Sequence, residues 1–241
     1  MDASGRGDTA KLIALFCVAA LAWEWLLAGG GVGMHEVDMG EGNIMTMRPE
    51  WTVGYGALVL AMWMVMMVAM MLPSAAPAIL AAQKSAPFAV GYLAVWGAFG
   101  LAATLAQFAL DRSGLLSDAL ALQSDALAGA LILAAGVYQL TPWKQACLKN
   151  CTLSAVQGVE QESSAWRAAV LGLRYGAFCL GCCWALMVLL FVVGLMNLTW
   201  VAAIALWVAA EKLLPWGGRI ARSAGAGLAV WGGVQLALTA I

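Results

Sequence analysis

The sequence predicts an all-α protein: a polytopic membrane helix bundle of about seven transmembrane helices with its N-terminus in the cytoplasm. Three observations predict it. Of the 241 residues, 63% are hydrophobic and only 10% are charged, against about 25% charged in an ordinary soluble domain. A soluble chain of this size has no core large enough to hide so much apolar surface, so lipid must solvate it. Apolar stretches long enough to cross a bilayer recur along the chain, and the basic residues fall on alternate connections between them.

The predicted spans lie near residues 11–28, 53–72, 88–110, 123–142, 168–196, 198–214 and 222–240. The first has no small-x-small cleavage site after Trp23-Glu24-Trp25 and reads as a retained helix rather than a leader. The second closes at Pro73 and Pro77, because proline lacks the backbone donor and crowds the preceding turn. The third and fourth flank an acidic connection holding Asp111 and Asp118. The fifth is unusually long and carries Gly172, Gly176, Gly181 and Gly194, which leaves tilt, a kink or an interfacial first turn open.

Orientation follows from charge. With the N-terminus inside, Arg6, Lys11, Lys84, Lys144, Lys149, Arg167, Lys212, Arg219 and Arg222 face the cytoplasm, and only Arg48 and Arg112 face outward. No internal repeat or low-complexity linker divides residues 1–241, which read as one integral membrane domain. The net charge is -1 without a basic run, which argues against a nucleic-acid partner and leaves the lipid bilayer and a metal ion as the expected ones.

Sulfur carries the chemistry. Cys179, Cys182 and Cys183 stand at i, i+3 and i+4, so one helix face presents all three, and Met187 continues it. Cys147 and Cys151 flank the preceding helix end, beside Lys144 and Lys149, whose charges favour thiolate. On the reducing side of the membrane a structural disulfide is not expected. The second span adds Met66, Met67, Met70 and Met71 in two i,i+4 rows. Thiolate and thioether donors together favour Cu(I), ahead of zinc or iron. Packing of the second, fourth and fifth spans would bring Met66 and Met70 towards Cys179 and Cys183.

Other polar groups are few. The outer loop Met34-His35-Glu36-Val37-Asp38-Met39 holds the only histidine, His35, as a further candidate ligand. A single histidine excludes a bis-histidine haem within one chain. Glu24 and Glu211-Lys212 sit at helix ends and read as interfacial, whereas Arg174 lies inside the fifth span about one turn before Cys179.

Three blocks carry a resemblance: Met66-Met67-Val68-Ala69-Met70-Met71-Leu72-Pro73; Gly136-Val137-Tyr138-Gln139-Leu140-Thr141-Pro142-Trp143-Lys144 leading to Cys147 and Cys151; and Tyr175-Gly176-Ala177-Phe178-Cys179-Leu180-Gly181-Cys182-Cys183-Trp184, followed by Glu211-Lys212-Leu213. Over about residues 55–216 the chain resembles a bacterial family of uncharacterised, predicted metal-binding integral membrane proteins. The resemblance implies a metal held at the Cys-x-x-Cys-Cys-Trp block. Tyr175 stands where family members often place a histidine, which leaves sulfur dominant here.

The residues therefore point to a protein of the bacterial inner membrane that binds or conducts Cu(I) through helices lined by cysteine and methionine, and that delivers it to a partner such as a periplasmic metalloprotein. Two other classes stay open: an accessory or structural subunit of a larger membrane complex, and a thiol-redox or cofactor-binding membrane enzyme. No Walker loop, dinucleotide fingerprint or nucleophile–base pair is present to argue for catalysis. The orientation is directly testable. A membrane-impermeant maleimide applied to spheroplasts should leave Cys147 unmodified until the membrane is opened, and labelling of intact spheroplasts would invert the topology.

Overall fold

The computed structural model describes residues 3–30, 35–38, 44–47, 49–117, 120–151 and 164–239. Nine helices account for nearly all of them: α1 (Ala3–Leu27), α2 (Val53–Ala81), α3 (Ser85–Arg112), α4 (Asp125–Leu140), α5 (Pro142–Lys149), α6 (Ala165–Val188), α7 (Leu190–Val193), α8 (Leu198–Leu213) and α9 (Gly217–Thr239). An antiparallel hairpin of β1 (His35–Asp38) and β2 (Ile44–Met47) joins α1 to α2, with His35 opposite Met47.

Each expected apolar stretch is helical, but the stretches are not equivalent. Four described helical segments are long and apolar enough to cross a membrane: Asp8–Leu27, Val53–Ala81, Ser85–Arg112 and Ala165–Val193. The pair α4–α5 makes a fifth if its 62° bend lies within one span. Helix α8, at 16 residues, is short against the roughly 20 that a bilayer requires. Helix α9 is long enough, but Arg219, Arg222 and five glycines between Gly218 and Gly233 dilute its apolarity.

Two boundaries differ from expectation for identifiable reasons. Helix α2 continues through Pro73 and Pro77 to Ala81 instead of closing there. Side chains bind the backbone through this stretch: the Ser74 hydroxyl and the Tyr92 hydroxyl both donate to the Met71 carbonyl, at 3.0 and 3.2 Å. The carbonyls that Pro73 and Pro77 leave without a helical donor are those of Ala69 and Pro73, and packing of this stretch in the core, with α3 and α8 beside α2, carries the helix through. The fourth stretch ends early because Thr141 caps a new helix, its Oγ accepting from the Lys144 N–H, with Pro142 at the first helical position.

Two close helix pairs frame the bundle. Helices α3 and α6 cross at Gly91 and Gly172, where an added Cβ would strike the Ala169 and Phe88 carbonyl oxygens respectively. Helices α4 and α9 meet at Gly136 and Gly232, where a Cβ would strike the Ala229 and Leu133 backbone nitrogens. Small residues allow this approach in membrane bundles. Helix α2 packs along α1, α3 and α8, and its Trp63 indole donates to the Gln107 side-chain oxygen of α3 at 2.9 Å. The expected grouping of spans two, four and five is therefore replaced: α6 lies mainly on α3, and α4 on α9. Gly172→Val should force α3 and α6 apart. We expect overpacking of about 1–3 kcal/mol, read as a lower melting temperature in detergent. An unchanged melt would refute the close crossing.

Candidate functional site

Cysteine placement begins with α6. Cys179, Cys182, Cys183 and Met187 are all buried on one face of it, as their spacing predicts. The Cys182 and Cys183 thiols both donate to the Cys179 carbonyl at 3.0 Å. Cys183 therefore neighbours Cys179 and Cys182 on this face, and Cys182 neighbours Cys151. The bend after Leu140 lays α5 against α6. Gly181 makes room for this, since a Cβ there would sit 2.8 Å from the Cys147 sulfur. The Tyr138 hydroxyl donates to the Gly181 carbonyl, and the Tyr175 hydroxyl to the Cys151 carbonyl at 3.2 Å. Cys151 thus joins the buried cysteines of α6, while Cys147, half-buried, sits against Gly181 on a different face of the helix.

Three buried charges complete the cluster: Lys144, Glu211 and Lys212 are 0%, 1% and 1% exposed. Glu211 is fully engaged. One carboxylate oxygen accepts from Lys144 Nζ at 2.6 Å, and the other accepts from the Trp207 indole at 2.7 Å and from the Gln139 amide at 3.3 Å. Lys212 finds no carboxylate among these groups. Its ammonium donates to Ser74 Oγ at 3.1 Å and lies 2.7 Å from the Cys179 sulfur. The Tyr92 hydroxyl stands 3.2 Å from the same sulfur.

The interfacial reading of Glu211 and Lys212 is therefore overturned. Gly217 seats the following turn directly on the Glu211 carbonyl, where any Cβ would clash, and the end of α8 is drawn inward. Arg174, by contrast, is exposed on the side of α6 away from the buried cysteines, and Glu24 is exposed on α1. Sequence reasoning missed Lys212, Tyr92 and Ser74 as neighbours of Cys179. The available signal was an adjacent acid and base at the end of an otherwise apolar helix.

The methionines of α2 are buried as expected: Met66, Met67, Met70 and Met71 all lie in the core. Through Ser74, Lys212 and Tyr92 the Met71 turn connects to Cys179. Towards the start of α2, Met62 and Met66 join Met196 around a cavity of about 180 Å3, bordered by the turns at Gly29-Gly30 and Leu195-Met196. His35 belongs to β1, but its side chain lies outside the described residues. On the other side of the cluster, a cleft of about 330 Å3 opens between Lys149, Arg219 and Arg222 and reaches Glu211.

These donors suit a soft cation taken in pairs. Among the described residues, no three of His, Cys, Asp or Glu are grouped to hold a metal ion. The reason is visible in the contacts: Cys182 and Cys183 point at a carbonyl, and Cys179 at an ammonium. Neighbouring sulfurs, however, succeed one another from Cys151 through Cys182 and Cys183 to Cys179. Structural zinc sites usually take four ligands in a tetrahedron, whereas thiolate and thioether sulfur suit soft ions such as Cu(I) as well as zinc.

Residues 60–235 match the family model described as PpoB2, copper chaperone. No curated protein and no solved structure matches the chain.

The ion pair makes a separate prediction. Glu211→Ala leaves Lys144 buried without its carboxylate and should destabilise the protein by roughly 3–5 kcal/mol. Lys144→Met combined with Glu211→Ala should recover a large part of that loss. Thermal unfolding of wild type, the two single variants Glu211→Ala and Lys144→Met, and the double variant checks it, and additive losses would show that the two side chains do not act as a pair.

Proposed function

The chain belongs to the PpoB2 copper chaperone family, and from that membership together with the sulfur cluster we propose that it carries Cu(I) as cargo within the bacterial inner membrane. Cys147, Cys151, Cys179, Cys182 and Cys183 receive the ion, and the α2 methionines Met66, Met67, Met70 and Met71 continue the sulfur surface towards the Met62–Met196 cavity. Delivery to a metalloenzyme beyond the membrane is the expected end of that route. The observation that carries the reading is the buried succession of sulfurs from Cys151 to Cys179.

The physical logic is exchange between neighbouring donors. Thiolate, not thiol, is the metal ligand, so the cysteine end binds tightly. Thioethers bind Cu(I) without losing a proton and release it more readily, which suits passage. Helices long and apolar enough to cross a membrane surround the donors, which keeps water and competing hard ligands away. Met187, buried next to Leu186 and below Cys183, extends the soft surface along α6. His35 remains a candidate for the outer end.

Serine conserves the size of cysteine but is a poor ligand for a soft cation. Cys182→Ser with Cys183→Ser should therefore abolish copper retention, measured by elemental analysis after loading with Cu(I) under reducing conditions, while leaving helix content and detergent elution unchanged. Met→Leu changes along α2 should weaken retention in smaller steps. Wild-type protein that retains no stoichiometric copper would overturn the proposal.

A further inference from the structure

Lys212 is a lysine ammonium buried against a cysteine sulfur, with the one nearby carboxylate already claimed. Glu211 is bound to Lys144, Trp207 and Gln139, so the Lys144–Glu211 pair is neutral by itself. The groups around Lys212 are the Ser74 hydroxyl, the Tyr92 hydroxyl and the cysteine sulfurs. A charge at 1% exposure requires a compensating charge close by. Among the described residues of this shell, the groups suited to supply it are thiolates.

We propose that Lys212 is the residue that selects the charge of the metal, making the cysteine cluster a site for a monovalent soft cation. The inference rests on the copper-cargo reading of the same site and adds its specificity. The count is simple. Two thiolates with Cu(I) carry one negative charge, and the Lys212 ammonium cancels it. Two thiolates with Zn(II) are neutral, and the ammonium is left as an uncompensated buried positive charge. The count takes two neighbouring sulfurs, Cys179 beside Lys212 and Cys183 one turn on along the same face of α6. No oxidation or reduction enters: the ion arrives and departs as Cu(I).

Lys212 also touches the donor set at one defined point. Its Nζ lies 2.7 Å from Cys179, not from Cys182 or Cys183, and Ser74 holds it there from α2. It acts as a positioning and specificity residue without contacting the metal. Partners of this kind, outside the ligands themselves, typically alter metal affinity by about 10–100-fold.

The experiment compares wild type, Lys212→Met and Lys212→Arg in detergent. Cu(I) affinity is measured by competition with a colorimetric chelator, Ag(I) serves as a redox-inert monovalent probe, and Zn(II) serves as the divalent one. Lys212→Met should weaken Cu(I) and Ag(I) by about 10–100-fold and should leave Zn(II) unweakened or strengthened. Lys212→Arg should keep the wild-type ratio. If Lys212→Met does not accumulate, Lys212→Gln, which can still donate to Ser74 but carries no charge, is read in the same way. Equal weakening of monovalent and divalent ions in the uncharged variants would make Lys212 a packing residue and overturn the inference. Wild-type protein that binds neither Cu(I) nor Ag(I) would instead remove the copper reading beneath it.

Discussion

A low-dielectric interior admits charge only where a partner stands beside it, and the centre of this bundle is organised by that constraint. Lys144, on the short α5, reaches Glu211 on α8; the next residue, Lys212, reaches Ser74 on α2 and Cys179 on α6. Two consecutive residues at one helix end thus tie together four elements. The direct packing of α8 against α6 is slight beside that of α3 against α6, so polar contacts fix what apolar contact leaves loose. Replacing a buried ion pair by well-packed apolar residues often costs no stability. What these charges supply is register: they determine which turn of α8 meets Cys179.

The frame around the cluster is built on a different principle. The glycine crossings of α3 with α6 and α4 with α9 bring backbones together along their length. These pairs need no charge and leave the ends of α2, α5 and α8 to close the space between them. Aromatic rings fill that space on the α3 side, where Tyr92 stacks obliquely on Tyr175 with centroids 5.8 Å apart and Phe88 lies 5.7 Å from the same ring. Tyr175 therefore does structural work, holding the Cys151 carbonyl, in a place where a histidine would have offered a harder ligand.

Much of this was legible beforehand, and the division follows from range. Helix existence and the shared face of Cys179, Cys182, Cys183 and Met187 are set by composition and by period, both local. The passage of α2 through Pro73 and Pro77 was not legible, because it depends on burial against α3 and α8, elements distant in sequence. The bend at Thr141-Pro142 was written in residues whose capping chemistry is familiar, but a continuous apolar window masked it. Lys212 was misplaced at the interface because a charge at a helix end ordinarily finds water. Only the fold shows that Gly217 seats its turn on the Glu211 carbonyl and that Lys212 is buried beside Cys179.

Under the copper-cargo reading, the same constraint orders the two sulfur regions. A Cu(I) ion among Met62, Met66 and Met196 has only neutral thioethers to bind it, so its positive charge stays uncompensated by ligands. At the cysteine cluster the thiolates cancel that charge, and Lys212 cancels the excess. Desolvation therefore favours residence at the cysteines and transit along the methionines, even before the greater strength of thiolate bonds is counted. An ammonium beside one thiolate also keeps the empty site electrically neutral, and loading exchanges the proton of a second thiol, released to solvent, for Cu(I). The bundle then carries the same buried charge with its cargo and without it, so loading requires no rearrangement of the helices that enclose it.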